Sequence, residues 1–189
     1  RIFKEISLWN KIKNKAQPIN EINVSEGTNT NELNFNSESL KEGALGYIID
    51  NTYLKKIVFK EVLKSNFIKF IDEVNIKDIK STSGSATIFS DKGNFTAQLI
   101  VGADGRNSKM RFFANIKSFF FDYNQAAFVF NITHTLSHQS KAIERFFPSG
   151  PLALLPMQNN NKKSSSVVWT VDSPLKKKTF GKQRFLQRI

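Results

Sequence analysis

Apolar positions recur at helical spacing at the start of the chain. Phe3, Ile6, Leu8 or Trp9, Ile12 and Ala16 predict a helix over 3–16, which Pro18 stops. The pattern then changes to alternation. Ile22 and Val24 share one face of 19–27, and Leu33 and Phe35 share one face of 32–38. GTNTN between them supplies turn residues, so an antiparallel hairpin is expected. A further apolar run, ALGYIID, leads to Asn51. Leu54, Ile57, Val58 and Val62 then define a helix over 52–66, with Asp50, Asn51 or Thr52 available to cap it.

Beyond that helix the pattern is mostly that of strands. IKFI (68–71) is a short candidate, and 73–80, 85–90 and 94–101 form a three-stranded meander. Ser83-Gly84 and the stretch 91–94 are its turns. The last run, FTAQLIVGADG, becomes continuously apolar, as a strand buried on both faces does. A short helix is expected after Gly105, to about Phe113. SFFFDYNQAAFVFNITH is expected to be extended. Stretches 142–147, 152–157 and 167–171 are further strands, with the polar loop NNNKKSSS at 159–166. The tail from Pro174 is basic and predicted helical, with Phe180, Phe185 and Leu186 apolar.

With 189 residues the chain is one domain or two small ones sharing a core. A hydrophobic content of 40% excludes wholesale disorder. The absence of cysteine excludes disulfide scaffolds, thiolate metal sites and cysteine nucleophiles. No apolar run approaches the ~20 residues of a membrane span. The first residues carry no signal-peptide pattern. Arg1 stands where an initiator Met would, so the chain is expected to begin mid-sequence. The net charge of +12 raises nucleic acid or an anionic membrane as partners. However, the cations are 22 Lys and only 6 Arg, alongside 19 Asn, 18 Ile and 18 Phe. Base readout relies on the arginine fork, so the charge reads mainly as a solvated, compositionally biased surface, with no nucleic-acid partner expected.

Two segments carry candidate chemistry. In LIVGADGRNSKMR a strand runs through Gly102, Ala103, Asp104 and Gly105 into a helix. Small residues permit close approach of a backbone, and the carboxyl end of a strand is the usual ligand edge of an open α/β sheet. Ser108 and Arg111, on the following turn, are within reach of an anion. The alternative is an ordinary tight turn with Asp104 as helix cap. In ERFFPSGPLALLPM, Pro148, Gly150, Pro151 and Pro156 punctuate apolar residues including Leu152 and Leu154. Such a segment either lines an apolar pocket or forms a core hairpin, its prolines belonging at edges or turns. His134 and His138 are spaced i,i+4, but no carboxylate lies near them in sequence and no metal site is expected.

Together these segments resemble the aromatic-ring flavoprotein monooxygenases, and more narrowly the ubiquinone-biosynthesis hydroxylases. Gly102, Ala103, Asp104, Gly105, Ser108 and Arg111 match that family's G-A-D-G-x-x-S-x-x-R motif. AIERFFPSGPLALLPM and VVWT resemble the strands that follow it. Pro18-Ile19, Ile22, Val24-Ser25, Leu45-Gly46-Tyr47, Ile49, Asn51 and Leu54 match the pattern that precedes it. The resemblance implies an FAD-dependent oxidoreductase with NAD(P)H as electron donor. It would hydroxylate the ring of a polyprenylated ubiquinone precursor with molecular oxygen, through a flavin C4a-hydroperoxide. It further implies that Gly102, Asp104, Gly105, Ser108 and Arg111 lie beside the cofactor and that Asn51 touches the flavin's ribose side. Pro148, Gly150, Pro151, Leu152, Leu154 and Pro156 would wall the substrate. No catalytic residue is assigned.

The family's opening GxGxxG is not found in this sequence, and neither is its later Gly-Asp motif. The chain is therefore expected to be a central fragment that binds FAD weakly or not at all and is inactive alone. The alternatives are a noncatalytic remnant, and a basic module binding nucleic acid or anionic lipid. The expected fold is α+β or α/β, an incomplete Rossmann-like FAD domain with a β-meander, interleaved with an antiparallel substrate sheet. Residues 1–17, 51–114 and 173–189 would belong to the first domain, and 18–50 and 115–172 to the second. The expected location is cytoplasmic, with peripheral attachment to the membrane or to a ubiquinone-biosynthesis complex.

Overall fold

The computed structural model describes residues 2–27, 31–38 and 43–172. The predicted tail helix lies outside them. The fold is mixed α+β with three sheets. Of the described residues, those up to 64 and those from 122 on form one compact unit, and residues 65–121 form a second.

In the larger unit the predicted first helix is broken into α1 (Ile2–Glu5), α2 (Trp9–Ile12) and a 3-10 turn (Lys13–Lys15). The break falls at Ser7, whose φ of 58° no helix accommodates. β1 (Gln17–Ile19) pairs antiparallel with β4 (Gly46–Ile48). β2 (Glu21–Glu26) and β3 (Glu32–Asn36) form the expected hairpin. α3 (Asn51–Lys64) starts where Asp50 Oδ1 accepts the Tyr53 N–H at 2.7 Å, so Asp50 is the cap. Glu61 of α3 makes an ion pair with Lys11, and the Tyr53 hydroxyl donates to the Lys11 carbonyl at 3.2 Å, which fastens α3 to α2.

β8 (Gln125–Thr133), β9 (Lys141–Phe147), β10 (Gly150–Pro156) and β11 (Ser164–Asp172) complete a six-stranded sheet in the order β3-β2-β9-β10-β11-β8. The sheet is mixed, not purely antiparallel, because β2 runs parallel to β9. β10 is an inner strand that forms a hairpin with β9, as one of the two readings of this segment expects, with Pro148 in the turn. Pro151 and Pro156 sit at or next to its ends, where a missing N–H costs least. Alternation fixes the register, with Leu152 opposite Trp169 and Leu154 opposite Val167. Val167, Trp169 and Val171 form the buried core, flanked by Phe128, Phe130 and Ile132. Gly150 has φ of 122°, and a Cβ there would lie 2.3 Å from the Thr170 carbonyl oxygen, so only glycine allows β10 and β11 to meet.

The smaller unit holds the expected meander, β5 (Ile76–Ser81), β6 (Ala86–Ser90) and β7 (Gly93–Ala97), in that order. Residues 68–71 are not a strand. β7 ends at Ala97, four residues short of the expected limit. Leu99 and Val101 are 76% and 75% exposed, which overturns the expectation of a strand buried on both faces. Among the described residues no strand pairs with 98–102, and without a ladder an apolar run has nothing to hold it extended. α4 (Lys109–Phe113) follows as predicted. The aromatic run 119–121 is exposed, and extended structure begins only at Gln125.

Candidate functional site

In the smaller unit, the turn from Gly102 to Arg111 is built by its own side chains. Ser108 caps α4, its Oγ accepting the Arg111 N–H at 3.0 Å. Asp104 is not the N-cap residue, although its carboxylate holds an amide of the first turn of α4. Its Oδ1 accepts the Ser108 hydroxyl at 2.5 Å and its Oδ2 the Met110 N–H at 3.1 Å. The Ser108 hydroxyl, and then the Met110 N–H, hold the Asp104 carboxyl below the usual carboxylate range. Arg111 donates from Nη2 to the Arg106 carbonyl at 2.9 Å and lies over the Phe120 ring. A Cβ on Gly102 would sit 3.0 Å from Met110 Cβ, so the turn closes tightly on α4. Gly105 has φ of 86°.

Gly102, Gly105, Ser108 and Arg111 line a cavity of about 460 Å³ with Leu99 and Met110. The Asp104 and Ser108 side chains are committed to hydrogen bonds that shape the turn. Asn51 belongs to the larger unit, exposed in the first turn of α3.

The larger unit carries a second cavity of about 460 Å³ on one face of its sheet. Ile143, Arg145 and Phe147 of β9 share this face with Leu152 and Leu154 of β10 and Val167 and Trp169 of β11. Of the six residues expected to wall a substrate, Leu152 and Leu154 line this cavity. Pro156 is fully buried, and Pro148, Gly150 and Pro151 are not in the lining. Arg145, Ser149 and Trp169 were not singled out from sequence. The signal was the alternation Ile143-Arg145-Phe147, which places a cation on an apolar face. Glu144 points to the opposite face, and partial burial raises its carboxyl above the usual range.

The two histidines are bonded to the protein. His138 Nε2 faces the Met157 carbonyl at 3.1 Å, and its Nδ1 accepts the Ser140 N–H at 3.0 Å. Burial, opposed in part by the Met157 carbonyl, pushes His138 below its ordinary value. His134 Nε2 lies 3.0 Å from Ser165 Oγ. No group of three metal-ligating side chains occurs among the described residues, and no described helix is long and apolar enough to cross a membrane.

No protein-family profile matches the chain. It is 32% identical over 176 residues to ubiquinone hydroxylase UbiL of Rhodospirillum rubrum, covering 93% of this chain and 40% of that protein. It is 29% identical over 178 residues to ubiquinone hydroxylase UbiM of Neisseria meningitidis, covering 91% of this chain and 38% of that one. Among solved structures it matches PqsL, a probable FAD-dependent monooxygenase from Pseudomonas aeruginosa, with a TM-score of 0.77 and 14% identity. That match covers 93% of this chain and 49% of the other, and shows a shared fold. The chain thus spans about two fifths of the length of the curated relatives it matches.

Proposed function

We propose, from the premise that this chain is a relative of the ubiquinone-biosynthesis hydroxylases with the fold of FAD-dependent monooxygenases, that it forms the central part of an enzyme hydroxylating the aromatic ring of a polyprenylated ubiquinone precursor. The observation that carries this reading is the likeness to UbiL over nearly the whole chain. FAD would supply the oxygen-activating chemistry when bound, with NAD(P)H as electron donor. The 102–111 turn suits the cofactor's anionic region through its backbone. Asp104 and Ser108 fix the turn's shape, and Arg111 adds positive charge. Asn51 serves the flavin's ribose side. The apolar face of the larger unit receives the ring and excludes water from it.

By itself the chain binds flavin weakly and does not turn over, because Leu99 and Val101, which run into the 102–111 turn, stand largely exposed. The net charge of +12 supports peripheral attachment to an anionic membrane surface on the cytoplasmic side, where a polyprenylated ring is met. The test is a chimera in which this chain replaces the matched region of UbiL, measured by ubiquinone content in a strain lacking that hydroxylase. Restored synthesis is expected. A folded, flavin-loaded chimera that leaves the ring unhydroxylated would overturn the reading.

A further inference from the structure

Arg145 is the one charged side chain in the lining of the sheet cavity. Its neighbours there are Ile143, Phe147, Leu152, Leu154 and Trp169. Its Nε donates to Ser25 Oγ of β2 at 3.2 Å, which holds the side chain on this face. Among the described residues no carboxylate oxygen lies within 4.0 Å of its guanidinium. Glu144, next in sequence, belongs to the other face. Glu32, across the β2–β3 pair, accepts instead from Asn23 Nδ2 at 2.8 Å. A guanidinium keeps its charge at any working pH. Arg145 is half-buried, so its guanidinium gives up part of its hydration against these walls with no counter-charge, and an anion entering the cavity offsets that loss. Its planar donor fork suits a carboxylate, or a single anionic oxygen, more than a neutral group.

We propose that Arg145 is a specificity-determining residue that pairs with an anionic oxygen on the aromatic ligand, a ring carboxylate or a phenolate, while the ring packs among Phe147, Leu152 and Trp169. This rests on the reading that the sheet cavity receives the aromatic substrate, and it adds that the substrate enters as an anion. Ser25 then has a defined part, since its hydroxyl occupies Nε and leaves the two terminal nitrogens for the ligand.

Trp169 provides the readout. The chain has two tryptophans, so Trp9→Phe leaves Trp169 as the sole emitter. Its quenching is titrated with benzoate against benzamide, and with 4-hydroxybenzamide below and above its phenolic pKa. The first pair tests a carboxylate and the second a phenolate. At least one anion is expected to bind about tenfold or more tighter than its neutral counterpart. Arg145→Gln should reduce that anion to the neutral level while leaving the neutral probe unchanged, and Arg145→Lys should restore part of the difference. The proposal is overturned if neither anion outbinds its neutral form, if no probe quenches saturably, or if Arg145→Gln weakens both forms equally. The Trp9→Phe series with Arg145 intact can by itself overturn it, should the Arg145 variants fail to fold. Ring binding without anion preference would leave the hydroxylase reading standing. Anion preference in a chimera that hydroxylates nothing would sink only that reading.

Discussion

The larger and smaller units solve the same problem differently. In the six-stranded sheet, Ser165, Val167, Trp169 and Val171 are buried at every second position of β11, between strands on either side. In the meander unit, Ala86 and Met110 are the buried hydrophobic residues, while Leu99, Val101 and Phe119 are left open. The residues are no less apolar. What differs is whether the chain brings a second surface to them. Alternation in an inner strand finds its partners nearby in the chain, whereas the run 98–102 has no strand beside it among the described residues. Burial is a property of a pair of surfaces, and the smaller unit carries only one of them.

Glycine substitutions should separate the units most. Gly150→Ala drives a Cβ into the Thr170 carbonyl and should cost about 3 kcal/mol or more, seen as loss of the sheet unit's denaturation transition. Gly105→Ala meets no atom within 4 Å and should cost only the strain of its backbone, about 1–2 kcal/mol. Equal effects would break the contrast. Next in size, Val171→Ala should destabilise by about 2 kcal/mol, while Leu99→Ala in this chain should change stability by no more than about 0.5 kcal/mol. A large loss on Leu99→Ala would show that the run is covered.

Acidification should give the smallest and most local effects. His138 is held below its ordinary value, so its contribution is complete above the unfolded value near 6.5 and is lost as pH falls through the lower folded value. Asp104 is also depressed, so its contribution disappears only below the usual carboxylate range, around pH 4. Hydrogen exchange at the Ser140 N–H should therefore accelerate at a higher pH than exchange at the Met110 N–H. The reverse order would contradict the bonding described for one of these turns.

Much of this was legible in the sequence wherever the signal was local. Alternation located the β2–β3 hairpin, strand-like runs between turn and loop residues located the meander and β9 to β11, and Asp50 was among the caps named for α3. What failed depended on partners distant in the chain. Periodicity joined α1 and α2 across Ser7, whose φ no pattern announces. Apolar continuity at 98–101 predicts a strand, but pairing makes a strand and none is present there among the described residues. The prolines of β10 left an edge and a core hairpin both open, because the choice between them depends on sheet order. The parallel pairing of β2 with β9 joins segments far apart in the chain. In the candidate sites, the 102–111 motif stood out by its residues, although its side chains turned out to build the turn. Arg145 escaped because its meaning lies in three strands and not in one.

The most direct measurement is a flavin titration of this chain beside the chimera in which it replaces the matched region of UbiL. The account predicts sub-stoichiometric, weak binding by the chain and stoichiometric flavin in the chimera, with affinity falling on Asp104→Ala as the 102–111 turn loses its shape. Near-full occupancy at micromolar affinity in the chain alone, or a folded chimera indifferent to Asp104→Ala, would contradict it.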